Sequence, residues 1–439
     1  MKQLIVCSIL AHTAVTGSRV AVSLSGIELK ASTFSIGMML SLYSLLPMFI
    51  LVGAGRWVDR IGLRKPILMG AGLGLFGVCV PFLVFDVGAL FLAAICIGLG
   101  FMIFLLCLQK ITGDTKTDEQ RKANFSLVAL SFSVSGFLGP TSAGLLIDSI
   151  GHRATFGVLA ACFAIALIGV YRYRFEPHQL LGSNQTMGSN QTIGSNQTNP
   201  QLTSQKELAP KQAIADLLRE PTLKRLYVCV VVICAAWDIH QFLVPIYGAQ
   251  IGLSASRIGI ILGVFALATF LIRTCLPFIS KRIGEWPLIL GAMSIAAVVY
   301  CVYPFAKTQQ AMMVLAGILG LGLGMAQPMV MSVMYRVAPA DRIGEATGLR
   351  LSFVNASQTF LPMTAGALGG ILGGNLGFAP MFWGVAAFLA AGVVYVGPRV
   401  LGKNREIDPE DAQTGDRPTQ VHHKKDAVRP ADDGSNDHL

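Results

Sequence analysis

The sequence predicts an all-α membrane protein: twelve transmembrane helices arranged as two parallel six-helix repeats. Three observations carry this. Of 439 residues, 53% are apolar and 13% charged, about half the charged share of a soluble domain. The apolar residues fall in twelve blocks of roughly 20, the length at which a helix crosses about 30 Å of hydrocarbon. Segments of the first half also recur 222 residues later. A soluble enzyme is excluded by the first observation alone.

The spans are placed near 4–25, 33–54, 66–85, 88–109, 124–147 and 154–173 in the first half. In the second they lie near 224–247, 257–279, 287–305, 310–334, 346–371 and 378–398. Helices are required because an open strand edge in lipid leaves backbone groups unpaired. The start reads as a first span rather than a cleaved signal, since eleven more blocks follow and there is no convincing small-residue cleavage site. The nine cysteines all sit inside apolar blocks with no C-x-x-C, so they read as small core residues and no metal or cofactor is expected.

Charge sets the orientation. One set of connections carries nineteen Lys and Arg, among them Arg56, Arg60, Arg64, Lys65, Lys281 and Arg282, while the alternate set carries Lys30, Arg153, Arg257 and Lys307. The positive-inside rule makes the first set, and both termini, cytoplasmic in a multi-pass protein of the cytoplasmic membrane. The net charge of +10 is therefore an orientation signal and not a nucleic-acid face.

Four matches support the repeat. Ser32–Leu40 lies over Ser254–Leu262, Arg60-Ile-Gly62 over Arg282-Ile-Gly284, Gly98-Leu-Gly100 over Gly320-Leu-Gly322, and Pro140–Gly144 over Pro362–Gly366. An offset spanning six helices keeps both halves in one orientation, as parallel repeats about an axis along the membrane normal. The organisation is then a bundle over 1–173, a cytoplasmic linker over 174–222, a second bundle over 223–398 and a tail over 399–439. The linker repeats Gly-Ser-Asn-Gln-Thr from Gly182, Gly188 and Gly194 and reads as a disordered tether. The tail mixes seven cations with nine acids and reads likewise. Gly70 and Gly74, Gly320 and Gly324, and Gly366, Gly370 and Gly374 recur every four residues as close-packing faces.

Charges inside spans are costly and mark functional candidates. They are Arg19, Asp238, Arg273 and Arg350. On the first helix His12, Thr16, Arg19 and Ser23 form one polar stripe; on the seventh, Asp238 and Gln241 do the same beside Trp237 and His240. The offset sets Thr16 opposite Asp238 and Arg19 opposite Gln241. Asp238 is the one acid in the spans and the expected proton carrier, with His240 as helper or alternative carrier. A static Arg19–Asp238 or Asp238–His240 pair is the bland alternative. Arg350 can also snorkel to the interface. Three cations against one anion point to an anionic solute. Gln327, Asn355 and Gln358 are hydrogen-bonding candidates, and Tyr43, Trp237 and Phe242 apolar walls.

Gly55-Arg-Trp-Val-Asp59-Arg60-Ile-Gly62-Leu-Arg64-Lys65 resembles the signature loop between the second and third helices of the major facilitator superfamily, G-x-x-x-D-R-x-G-R-[RK]. Leu63 replaces a common basic residue. The resemblance extends over nearly the whole chain and implies a secondary transporter, not an enzyme. It further implies that Gly55, Asp59, Arg60, Gly62 and Arg64 belong to a gate, with Asp59 latching onto the start of helix 11 near Gly344-Glu345-Ala346. Helices 1 and 7 are implied to line the cavity. Ser135-Gly-Phe-Leu-Gly139-Pro140-Thr-Ser-Ala-Gly144 is similar to the exporter pattern G-x-x-x-G-P-x-x-G-G, adding Gly139, Pro140 and Gly144 to the gating set and favouring the exporter-like sugar-and-drug branch. The arginine expected in helix 4 of proton-coupled drug exporters is absent.

The expectation is therefore a monomeric secondary active transporter moving a small organic solute by alternating access, proton-coupled, with efflux or antiport favoured over uptake. Its partners are the solute, protons and the bilayer, with no nucleic acid and no cofactor. An uncoupled facilitative carrier or proton-driven importer of an organic anion remains open, as does, more distantly, an integral-membrane transferase.

Overall fold

The computed structural model describes residues 2–114, 117–176, 219–339, 342–372 and 378–401. The central repeat with its Gly-Ser-Asn-Gln-Thr units, Gly374 and the tail beyond 401 lie outside the described residues. Twelve long α-helices are present among those described. They are α1 Lys2–Glu28, α2 Thr33–Ile61, α3 Arg64–Leu83, α4 Val87–Gly113, α5 Asp118–Ile150 and α6 His152–Arg172. The second set is α7 Pro221–Gln250, α8 Ala255–Ile279, α9 Glu285–Val302, α10 Gln309–Val337, α11 Ile343–Leu372 and α12 Ala379–Leu401.

Eleven of the twelve are long and apolar enough to cross a membrane. The exception, α11, carries Arg350, Asn355 and Gln358 among several hydroxyl side chains, a load that a helix facing a polar interior tolerates better than one facing lipid.

Local chemistry sets the ends. The side chains of Ser32, Asp86, Thr117, Glu220 and Thr308 each accept a hydrogen bond from the backbone N–H three residues on, capping α2, α4, α5, α7 and α10. Arg153 donates to the Phe82 and Leu83 carbonyls at 2.7 Å each, filling acceptors at the end of α3. The basic segment expected as a loop between α2 and α3 is mostly helical: α2 runs through Arg60 to Ile61, and only Gly62 and Leu63 connect it to α3. Gly62 takes φ +81°, which its lack of a Cβ permits.

Within each set, small residues bring backbones together. A Cβ on Gly70 would meet the Gly100 carbonyl at 2.7 Å, and one on Gly324 would meet the Thr269 backbone at 2.9 Å. Gly370 departs from the stripe expected of it, because nothing lies within 4 Å of where its Cβ would be.

The two sets meet along two seams, α2 with α11 and α5 with α8. Gly37 abuts the Pro362 carbonyl and Gly366, and Gly259 abuts the Pro140 carbonyl and Gly144. Shifted by 222, each seam becomes the other. Both glycine contacts lie towards the end that carries the α1–α2, α5–α6, α7–α8 and α11–α12 connections.

Candidate functional site

A cavity of about 460 Å3 lies between the two sets of helices, bordered by both seams. From α1 it takes His12, Thr16 and Arg19; from α7, Trp237, Asp238, Gln241 and Phe242. Arg273 and Thr269 of α8, Gln327 of α10, Gln358 of α11 and Ser133 of α5 add to its polar lining. The i, i+4, i+7 spacing on α1 and the i, i+3 spacing on α7 put each stripe on one helix face.

On the α1 side the polar groups are tied to α5. His12 Nδ1 hydrogen-bonds the Ser135 hydroxyl, and its ring stacks on Phe101 with centroids 5.2 Å apart. The Thr16 hydroxyl donates to the Ser135 carbonyl at 3.0 Å. Gly139 makes this approach feasible, since a Cβ there would meet the Thr13 carbonyl and Gly17 nitrogen at 2.8 Å. The Arg19 guanidinium stands over the Tyr43 ring, 5.5 Å from its centroid, in cation–π contact. Tyr43 is fixed in turn by a 3.0 Å hydrogen bond between its hydroxyl and Ser18.

On the other side Asp238 is 8% exposed. The Ser357 hydroxyl of α11 donates to its Oδ2 at 2.7 Å, a charge-assisted contact when the acid is ionised. Among the described residues no ion pair joins Asp238 to Arg19. Arg273 donates through Nε to the Gly324 carbonyl at 3.4 Å. The Gln358 amide oxygen accepts from Ser44 at 3.1 Å, bridging the α2–α11 seam. Two guanidinium groups and one carboxyl thus face a single cavity.

His240 and Asn355 lie apart from it. Two residues beyond Asp238, His240 is turned about 200° around α7, fully buried, with its ring 4.4 Å from that of Phe265 and neither nitrogen hydrogen-bonded. Asn355 is half-buried on α11 and is not among the cavity residues.

Of the gating residues, Gly55 and Asp59 lie in the last turns of α2, and Gly344 in the first turn of α11; the surroundings of all three are outside what is described. Arg60 is exposed, and Arg64 opens α3 with its guanidinium 5.9 Å from the Tyr171 ring centroid. Pro140 and Gly144 form the α5–α8 seam.

Four side chains had no sequence signal strong enough to single them out. Ser357 is one of several hydroxyls on α11. Phe132 and Ser133 line the cavity from α5 within a mixed apolar run. Asp148, near the end of α5, accepts from the backbone N–H of Ala255 at 3.1 Å and of Ser256 at 2.8 Å, capping the start of α8 across the seam.

The sequence profile described as Major Facilitator Superfamily matches residues 4–356. A protein named "Multidrug resistance protein MdtG" from Citrobacter koseri is 24% identical over 287 residues, and one of the same name from Escherichia coli 23%. Each alignment covers 63% of this chain and 63% of the relative, so under two thirds of the relatives' length is spanned. Among solved structures, a POT family transporter in complex with a thioalcohol-conjugated peptide superposes with TM-score 0.69 at 16% identity, covering 91% of this chain and 96% of that one. A point mutant of the nucleoside transporter NupG gives 0.70 at 15% identity, covering 90% and 99%. At such identities these two establish the fold alone.

Proposed function

The chain belongs to the Major Facilitator Superfamily, and on that premise we propose that it exports a small organic anion across the cytoplasmic membrane in exchange for protons. It is a multi-pass secondary transporter; solute, coupling and direction are the proposal. The observation that carries it is that Arg19 on α1 and Asp238 on α7 line one cavity between two bundles. Arg19 and Arg273 supply the positive field for a carboxylate or phosphate, whose planar or branched oxygens a guanidinium recognises by paired hydrogen bonds. Asp238 supplies a carboxyl whose proton affinity depends on whether apolar surroundings or a nearby cation dominate. A cavity that changes sides alternates those surroundings.

Efflux is supported by the exporter-like Gly139-Pro140 segment and by the distant relatives named for multidrug resistance. With the cation-rich loops on the inside, the glycine seams lie at the outer end and this conformation faces the cytoplasm. The departure in α4, which has no arginine over 93–102, leaves Asp238 as the acid best placed to couple.

The test is proton flux in proteoliposomes. A library screen by thermal stabilisation first identifies a solute, because ligands of the folded state raise the melting point. Asp238→Asn then keeps solute counterflow and loses proton-driven movement. Undiminished coupling in that variant removes Asp238 from the role, and a wild-type protein indifferent to a pH gradient is an uncoupled carrier.

A further inference from the structure

A second cavity, of about 390 Å3, opens on the outer flank of the C-terminal bundle, where α7 forms the floor and α11 and α12 the walls. Val228 and Val231 line the floor, Phe353 and Phe388 the sides, and Lys224 and Tyr395 stand together at one end. Lys224 is the fourth residue of α7, and the groove reaches Val232, eight residues on. At 1.5 Å per residue that is about 12 Å of depth, most of one leaflet's ~15 Å of hydrocarbon. The lysine is exposed and makes no ion pair among the described residues.

The internal repeat supplies a control. The 222 offset sets Lys224 over Lys2, Phe353 over Ser131 and Ala391 over Gly169. There the corresponding residues are in contact: Gln3 donates to the Gly169 carbonyl at 2.8 Å, and the Ser8 and Ser131 hydroxyls bond at 3.3 Å. Cys7 Sγ occupies the space beside Gly169. These first-half contacts involve Gly169 and Ser131, whose counterparts Ala391 and Phe353 line the groove in the second half.

We propose that this groove binds one anionic phospholipid, with an acyl chain between α11 and α12 and the phosphate on Lys224. An apolar groove in a bilayer is filled by chain atoms, because an empty one forfeits dispersion contacts along its whole lining. The single cation sits where a headgroup would be, at the mouth and not in the depth. This end faces the leaflet marked cytoplasmic by the loop cations, where anionic lipids place their charge. The inference concerns the bilayer face and holds whether or not transport is coupled to protons.

The experiment titrates purified protein with phosphatidylglycerol and with phosphatidylcholine of identical chains, following thermal unfolding in one detergent. Both lipids stabilise saturably, and phosphatidylglycerol half-saturates at about fivefold lower concentration, the worth of one lysine near an anionic headgroup. Lys224→Gln, an exposed change that leaves the core untouched, abolishes that preference, whereas Lys2→Gln retains it. Ala391→Trp, which fills the groove beside an intact Lys224, weakens both lipids together. Equal half-saturation in the wild-type protein, or a preference that survives Lys224→Gln, overturns the proposal. Displacement of the lipid by a transported solute overturns it too, by making the groove an entry path for that solute.

Discussion

Gly37 packs so closely on the backbone of Pro362 that no side chain fits between them, and 222 residues further on Gly259 stands in the same relation to Pro140. Two of the four sequence matches at that offset are thus the two halves of one contact, used twice. Gly37→Val and Gly259→Val force the seam apart, an overpacking worth about 1–3 kcal/mol. Solute counterflow should fall in both, and cysteine labelling at the outer end should rise. Full counterflow in either variant would show that the seam need not close.

Asp148 adds an asymmetric lock to the α5–α8 seam, since its counterpart at the same offset is Gly370, which has open space around it. Hydrogen bonds to a charged group contribute about 1.5–3 kcal/mol each. Asp148→Ala should raise the outer-open population about tenfold or more, read as the labelling rate of a cysteine placed at Ser256. An unchanged rate would reduce Asp148 to a local helix cap.

The turn at Gly62 is a stability prediction. Its φ of +81° is a region that L side chains rarely adopt. Gly62→Val should destabilise the protein by about 1–3 kcal/mol, seen as a lower unfolding temperature in detergent, with Gly72→Ala, which meets open space, as the neutral comparison.

Arg19 tests the charge of the solute. Its guanidinium is held over the Tyr43 ring. Arg19→Gln should weaken binding of an anionic solute about tenfold, the loss of one charge-assisted hydrogen bond, while a neutral analogue binds as before. Equal loss for both would mean that Arg19 shapes the cavity without reading charge.

Most of the fold was legible because the bilayer imposes it: blocks of about 20 apolar residues have few alternatives to a spanning helix. Arg19, Asp238 and Arg273 were legible for the same reason, since a charge in such a block is expensive enough to be conspicuous. Ser357 was not, because a hydroxyl costs little in a helix and α11 has several. Asp148 was hidden by its place at a helix end, where an acid needs no explanation until its partner across the seam is known. His240 shows the limit of proximity in sequence: two residues from Asp238, it faces a different set of neighbours. The central linker and the tail offer composition alone.

The central claim is that the two bundles open and close around the cavity, and a reversible clamp on the α2–α11 seam tests it most directly. Thr33 and Gly369 face each other there, with a Cβ on Gly369 falling 3.1 Å from the Thr33 methyl group. Thr33→Cys and Gly369→Cys are combined with replacement of the exposed Cys275 and Cys301, then oxidised in proteoliposomes. Transport should stop on oxidation and return with reductant. Undiminished transport through the crosslinked protein would contradict alternating access at this cavity.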